Sequence, residues 1–152
     1  FDKIDFVEIF PGEEKKLHIS DENSVIGLGW THNLGDLGVW TEGNEANIIF
    51  KFKNYEPRDY TLRFKIKSVM TNNADKLNIK IKVNDELVKK LNFDRFTNQD
   101  NQFINITMKK ENLNNELHKV DFVIKNPISP VSLLESPDGR HLGILVESIE
   151  IN

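Results

Sequence analysis

Both tryptophans of the chain, Trp30 and Trp40, and five of its eight glycines fall between Gly27 and Gly43, together with His32, Asn33, Asp36 and Glu42. An indole face stacks on the axial C–H groups of a sugar ring. Carboxylates, amides and imidazoles hydrogen-bond the hydroxyls that flank it, and an apolar surface with a few placed polar groups is how small-ligand sites are built. On this reading Trp30 and Trp40 offer stacking faces, while His32, Asn33, Asp36 and Glu42 read hydroxyls. Arg140, beside His141, joins them by facing an anionic or hydroxyl-rich ligand. A competing reading has Trp40 packed between sheets, the glycines relaxing a corner of the backbone, and Arg140 paired with Asp138 to lock a turn.

Other chemistries find less in the sequence. With no cysteine, the chain has neither thiol catalysis nor thiolate metal sites nor disulfides. Asp36 and Glu42 are a pair of acids six residues apart, and glycoside hydrolysis needs two carboxyls roughly 5–9 Å apart across a cleft, which loop spacing does not supply. His18, His32, His118 and His141 lack ligand spacing, and no cofactor is expected. The one candidate for a structural calcium is the Asp21-Glu22-Asn23 turn, whose oxygens lack the spacing of a dedicated calcium loop. Phosphate-loop, dinucleotide and serine-elbow motifs are missing.

The elements that must position these residues read as strands. Leu77, Ile79, Ile81 and Val83 alternate with Asn78, Lys80 and Lys82, and the same period of two runs through Leu62–Ile66, Val120–Ile124 and Ile48–Phe52. Weaker candidates are Lys16–Ser20, Val25–Trp30, Leu87–Phe93, Phe103–Met108 and Gly143–Ile151. Turn signals separate them, among them Pro11-Gly12, Asn84-Asp85 and Ser136-Pro-Asp-Gly139. Only Lys109–Lys119 would hold a short helix. Eight or nine short strands predict an all-β fold, a two-sheet antiparallel β-sandwich of jelly-roll-like or immunoglobulin-like topology.

At 152 residues the chain is one domain, 1–152, with no linker and no repeat. Its start at Phe1 reads as a fragment of a larger multidomain protein. Twenty-four acids against twenty Lys and Arg give a net charge of −4, which with the absence of interleaved aromatics argues against nucleic acid as a partner. The span 61–90 is nevertheless basic, with eight Lys and Arg against three acids. Its outward lysines Lys65, Lys67, Lys80 and Lys82 would form one ladder if their strands were neighbours. Such a ladder is a solvated face kept soluble by charge, or one that attracts phosphate, an acidic glycan or anionic lipid.

Gly29-Trp30, Gly38-Val-Trp40-Thr-Glu-Gly43, the strand from Ala46, Val83-Asn84, Asn126-Pro-Ile-Ser-Pro130 and Ser136-Pro-Asp-Gly-Arg-His-Leu-Gly143 follow one another in a known order. From about residue 25 to 151 the chain resembles the β-sandwich accessory domains of bacterial glycosyltransferases and phosphoglycerol transferases of cell-surface polysaccharide synthesis. Asp85 stands where their turn has glycine. The resemblance makes Trp40, Asp138, Arg140 and Gly143 signature positions. It implies a non-catalytic carbohydrate-binding module whose partners are a surface glycan and the parent's catalytic domain. It also implies peripheral membrane association through the parent. A cysteine-free chain without a signal pattern fits the cytoplasmic face of the inner membrane, where such transferases often work, whereas the phosphoglycerol transferase relatives place the domain outside. A docking domain without a glycan site and a small glycoside hydrolase are the alternatives.

Overall fold

The computed structural model describes residues 6–17, 27–32, 38–68, 76–94, 102–127 and 140–152. The alternation of apolar and polar residues becomes strands with one face turned inward. The described residues form β1 (Glu8–Ile9), β2 (Glu14–Lys16), β3 (Trp30–His32), β4 (Val39–Glu42), β5 (Glu45–Phe52), β6 (Tyr60–Ser68), β7 (Lys76–Val83), β8 (Glu86–Asp94), β9 (Gln102–Met108), β10 (His118–Ile124) and β11 (Leu142–Ile151).

Two sheets face each other, one in the order β1-β5-β10-β7-β8 and the other β3-β4-β11-β6-β9, with β2 also on β11. Pairing is antiparallel apart from β1 with β5. Consecutive strands from β4 to β7 and from β8 to β11 fall in opposite sheets, which makes a jelly-roll-like sandwich. Its core is apolar: Ile48, Phe50, Val120, Phe122, Ile79 and Ile81 from one sheet meet Leu62, Phe64, Ile66, Ile144, Val146 and Ile149 from the other. Phe122 carries the contact between sheets, its ring edge-on to Phe64 at 5.4 Å.

Several expectations change. The region 109–119 forms a single 3-10 turn, Lys110–Asn112, because it has no apolar stripe to bury. Of the expected strand Val25–Trp30, residues 25 and 26 lie outside the described residues, and among 27–30 only Trp30 has strand geometry. β6 and β7 lie in different sheets, so Lys65 and Lys67 do not share a ladder with Lys80 and Lys82. Lys65 instead pairs with Glu147 at 3.3 Å.

The Asn84-Asp85 hairpin has φ of 49° and 71°, both positive, as a two-residue turn of the primed type requires. Asn84 ties this turn to β10: its Oδ1 accepts from the Lys119 amide at 2.9 Å, and its own amide donates to the Lys119 carbonyl at 2.8 Å.

Candidate functional site

The segment before β3 closes one edge of the sandwich. The Gly27 amide donates to the Asn47 carbonyl at 2.8 Å, the Asn47 amide to the Leu28 carbonyl at 3.0 Å, and the Leu28 amide to Asn47 Oδ1 at 3.0 Å. The run leading into β3 of one sheet is thus held to β5 of the other. Gly29 makes this approach workable. Its φ is +86°, and a Cβ there would lie 2.0 Å from the Glu45 carbonyl oxygen, so both conformation and space require glycine.

Trp30 belongs to this closure. Its indole Nε1–H donates to the Asn47 carbonyl at 2.7 Å, and its ring stands edge-on to Phe122 at 5.8 Å and 77°. The side chain is half-buried against the core, so the ring expected to stack on a sugar has its polar atom and one edge committed to the protein.

Trp40 is placed differently. In the β3–β4 pair Trp30 opposes Thr41 and Thr31 opposes Trp40. Val39 and Thr41 are fully buried, so Trp40 and Glu42 take the outer face by alternation. Trp40 is half-buried and, like Trp30, packs in part against the core, while Glu42 is exposed. Thr31, directly opposite Trp40, accepts a hydrogen bond at its Oγ1 from Arg140 Nη1 at 3.2 Å. An indole, a carboxylate, a hydroxyl and a guanidinium therefore share one outer surface of the six-stranded sheet. Three of them, Trp40, Glu42 and Arg140, were legible in sequence. Thr31 was not, because only the register of β3 on β4 brings it there. The backbone of His32 lies opposite Val39, while its side chain and all of Asn33 and Asp36 lie outside the described residues. So do Asp138 and the Asp21-Glu22-Asn23 turn.

The signature glycine Gly143 has a packing role. A Cβ on it would sit 2.5 Å from Thr41 Oγ1 and 2.9 Å from Ile124 Cγ1, and that hydroxyl accepts the Ile144 amide at 3.0 Å.

The opposite sheet carries a groove that sequence reading did not isolate. Its volume is about 540 Å³, and Asn44, Asn78, Lys80, Lys90, Asn92, Val123 and Lys125 are among the residues that line it. On this face Lys80 is directly opposite both Lys90 and Val123, and Asn78 is opposite Asn92. Asn44 is pinned at the rim, donating from Nδ2 to the Ile124 carbonyl at 3.1 Å.

Two further buried groups are structural. His118 is fully buried and stacks on Phe50 at 5.5 Å, with Nδ1 3.3 Å from Asn84 Nδ2. Burial holds its pKa below the ordinary value of 6.5, against an opposing pull from the Leu113 backbone. Asp121 is buried beside Lys119, 3.5 Å away. Hydrogen bonding to Asp85 above all, then the charge of Asp121, raises the Lys119 pKa. Among the described residues no group of three or more His, Asp or Glu side chains is placed to hold a metal ion, and no helix is long and apolar enough to cross a membrane.

No protein-family model matches the sequence, and a search of curated proteins finds no similar one. Solved structures share its fold. The tryptic core variant of Cry1Da from Bacillus thuringiensis superposes with a TM-score of 0.51 at 13% identity, over 96% of this chain and 24% of that one. A GH115 4-O-methyl-α-glucuronidase with specificity for decorated arabinogalactans gives 0.50 at 9% identity, over 93% and 16%. The carbohydrate-binding module CBM36, in complex with calcium and xylotriose, gives 0.49 at 16% identity, over 92% of this chain and 99% of that one. At these identities the likeness to the first two is one of fold.

Proposed function

We propose that this domain is a non-catalytic carbohydrate-binding module of a bacterial surface-polysaccharide glycosyltransferase or phosphoglycerol transferase. The observation that carries the reading is the gathering of Trp40, Glu42, Thr31 and Arg140 on one outer face. That set combines an aromatic surface for a sugar ring with donors and acceptors for its hydroxyls. The order of the Gly-Trp, Trp-Thr-Glu-Gly and Arg-His-Leu-Gly motifs supports the parent enzyme class. In this reading the parent works at the cytoplasmic face of the inner membrane and the module holds it near its glycan. A shallow site with a few anchors binds at roughly micromolar to millimolar Kd.

The test is an NMR titration with oligosaccharides of the source bacterium's surface polysaccharide, beginning from a glycan array. Binding is expected to move the Trp40 indole resonance and to vanish in Trp40→Ala. Binding that survives Trp40→Ala in a folded protein refutes the site.

One observation favours a second reading, docking to the parent's catalytic domain. Leu87 and Val88 are 45% and 39% exposed on β8, the outermost strand of its sheet, and such edges invite pairing. Association with the separately produced catalytic domain that is lost in Leu87→Lys, without any glycan response, would favour docking.

A further inference from the structure

We infer that the groove on the outer face of the five-stranded sheet is a second binding site, and that its ligand is an acidic polysaccharide bearing carboxylates. The inference goes beyond the Trp40 face and does not rest on it, since the two surfaces belong to opposite sheets.

Charge is the first argument. Lys80, Lys90 and Lys125 line the groove, and among the described residues no acidic one does. All three are exposed, and none is in an ion pair among the described residues. Lys80 and Lys90 are direct cross-strand partners. Like charges in that relation repel and destabilise a sheet. An anion seated between them removes the repulsion, so the arrangement favours a bound state over an empty one. Lys119, on β10 of the same sheet, is by contrast matched by Asp85 at 3.3 Å and Asp121 at 3.5 Å.

Shape and lining narrow the anion. A volume of about 540 Å³ is that of a small-ligand site, and a recess holds a chain where a flat bilayer would touch only its rim. Asn78 and Asn92 face each other across β7 and β8, and an amide both donates and accepts, matching sugar hydroxyls. Val123 and the lysine stems give the C–H surface on which a pyranose rests. Among the described residues no aromatic one lines the groove, so they offer nucleobases nothing to stack on.

The experiment is calorimetric and NMR titration of the whole chain with oligogalacturonate, oligoalginate and neutral xylo-oligosaccharides, at low and at high salt. The acidic oligomers are expected to shift the Asn78, Lys80 and Lys90 resonances and to weaken with salt. Lys80→Gln with Lys90→Gln should weaken binding, as read at the Asn78 resonance, about tenfold or more. An unchanged or raised unfolding midpoint in the double variant shows that the fold is intact. The inference is overturned if no acidic oligomer shifts these resonances at millimolar concentration, or if neutral oligomers shift them equally. It is also overturned if the double variant binds as the wild type does, or if single-stranded DNA or phosphatidylglycerol vesicles compete more strongly than oligogalacturonate. Loss of binding in Trp40→Ala alone would refute the groove and leave the Trp40 face standing.

Discussion

Trp30→Ala separates structure from recognition. Truncating a buried tryptophan costs about 3–5 kcal/mol, and the half-burial of Trp30 puts the change near the lower end. Within that sum, the edge-on contact with Phe122 contributes about 0.5–1.5 kcal/mol and the bond to the Asn47 carbonyl about 1 kcal/mol. Trp30→Phe keeps the ring contact and loses only the bond. The Asn47 carbonyl is not orphaned by this change, because the Gly27 amide still donates to it at 2.8 Å, so Trp30→Phe costs about 1 kcal/mol. With a urea slope of roughly 2 kcal/mol/M, the midpoint falls by about 1.5 M for alanine and about 0.5 M for phenylalanine. Far-UV circular dichroism is the assay, since removing an indole changes the fluorescence baseline. Both variants, while folded, should bind glycan as the wild type does. If Trp30→Ala unfolds at the wild-type midpoint and loses glycan binding, the closure role is wrong and Trp30 is itself the platform.

Three more perturbations probe the frame. Gly29→Ala combines a positive φ with a Cβ 2.0 Å from a backbone oxygen, whereas Gly12→Ala has φ +80° and open space. Chemical unfolding should show about 1 kcal/mol lost at Gly12 and at least twice that at Gly29; equal losses would refute the close approach. His118 is buried with a lowered pKa, so the unfolded chain binds more protons as pH falls below about 6.5. Stability is complete above that pH and declines as pH falls toward the folded-state pKa. His118→Phe, which keeps a ring against Phe50, should flatten the profile between pH 5 and 7, and an unaltered slope would exclude His118 as its source. Asp85→Gly relieves a φ of 71° and gives up only a solvent-exposed ion pair to Lys119. Thermal or urea unfolding should show a gain of about 0.5–1 kcal/mol, and a loss would mean that the ion pair matters more than the backbone.

Alternation identified β5, β6, β7 and β10 because each has a buried and a wet face, and period two is the direct imprint of that. β1 and β4 escaped notice, being two and four residues long, too short for a period to show. The hairpin at Asn84-Asp85 was readable because few residue types accept positive φ at successive positions. Strand partnership was not. Lys65 and Lys80 look alike in sequence, yet one is neutralised by Glu147 and the other opposes Lys90, since sheet membership depends on which connections cross the sandwich.

The two tryptophans mark the boundary most sharply. Composition and local order determined an all-β chain whose aromatic and polar residues between Gly27 and Gly43 suit a sugar. In one continuous strand, residues ten apart share a face. Trp30 and Trp40 instead sit on paired strands whose register sets Trp30 against Thr41 and Thr31 against Trp40, and opposed residues share a face. The indoles therefore point to opposite sides of their sheet, one into the closure with Asn47 and Phe122, the other toward the outer surface with Arg140 and Glu42. A one-residue slip in that pairing would reverse the outcome, so residue types supplied two indoles and only the tertiary register decided which of them lies on the outer face.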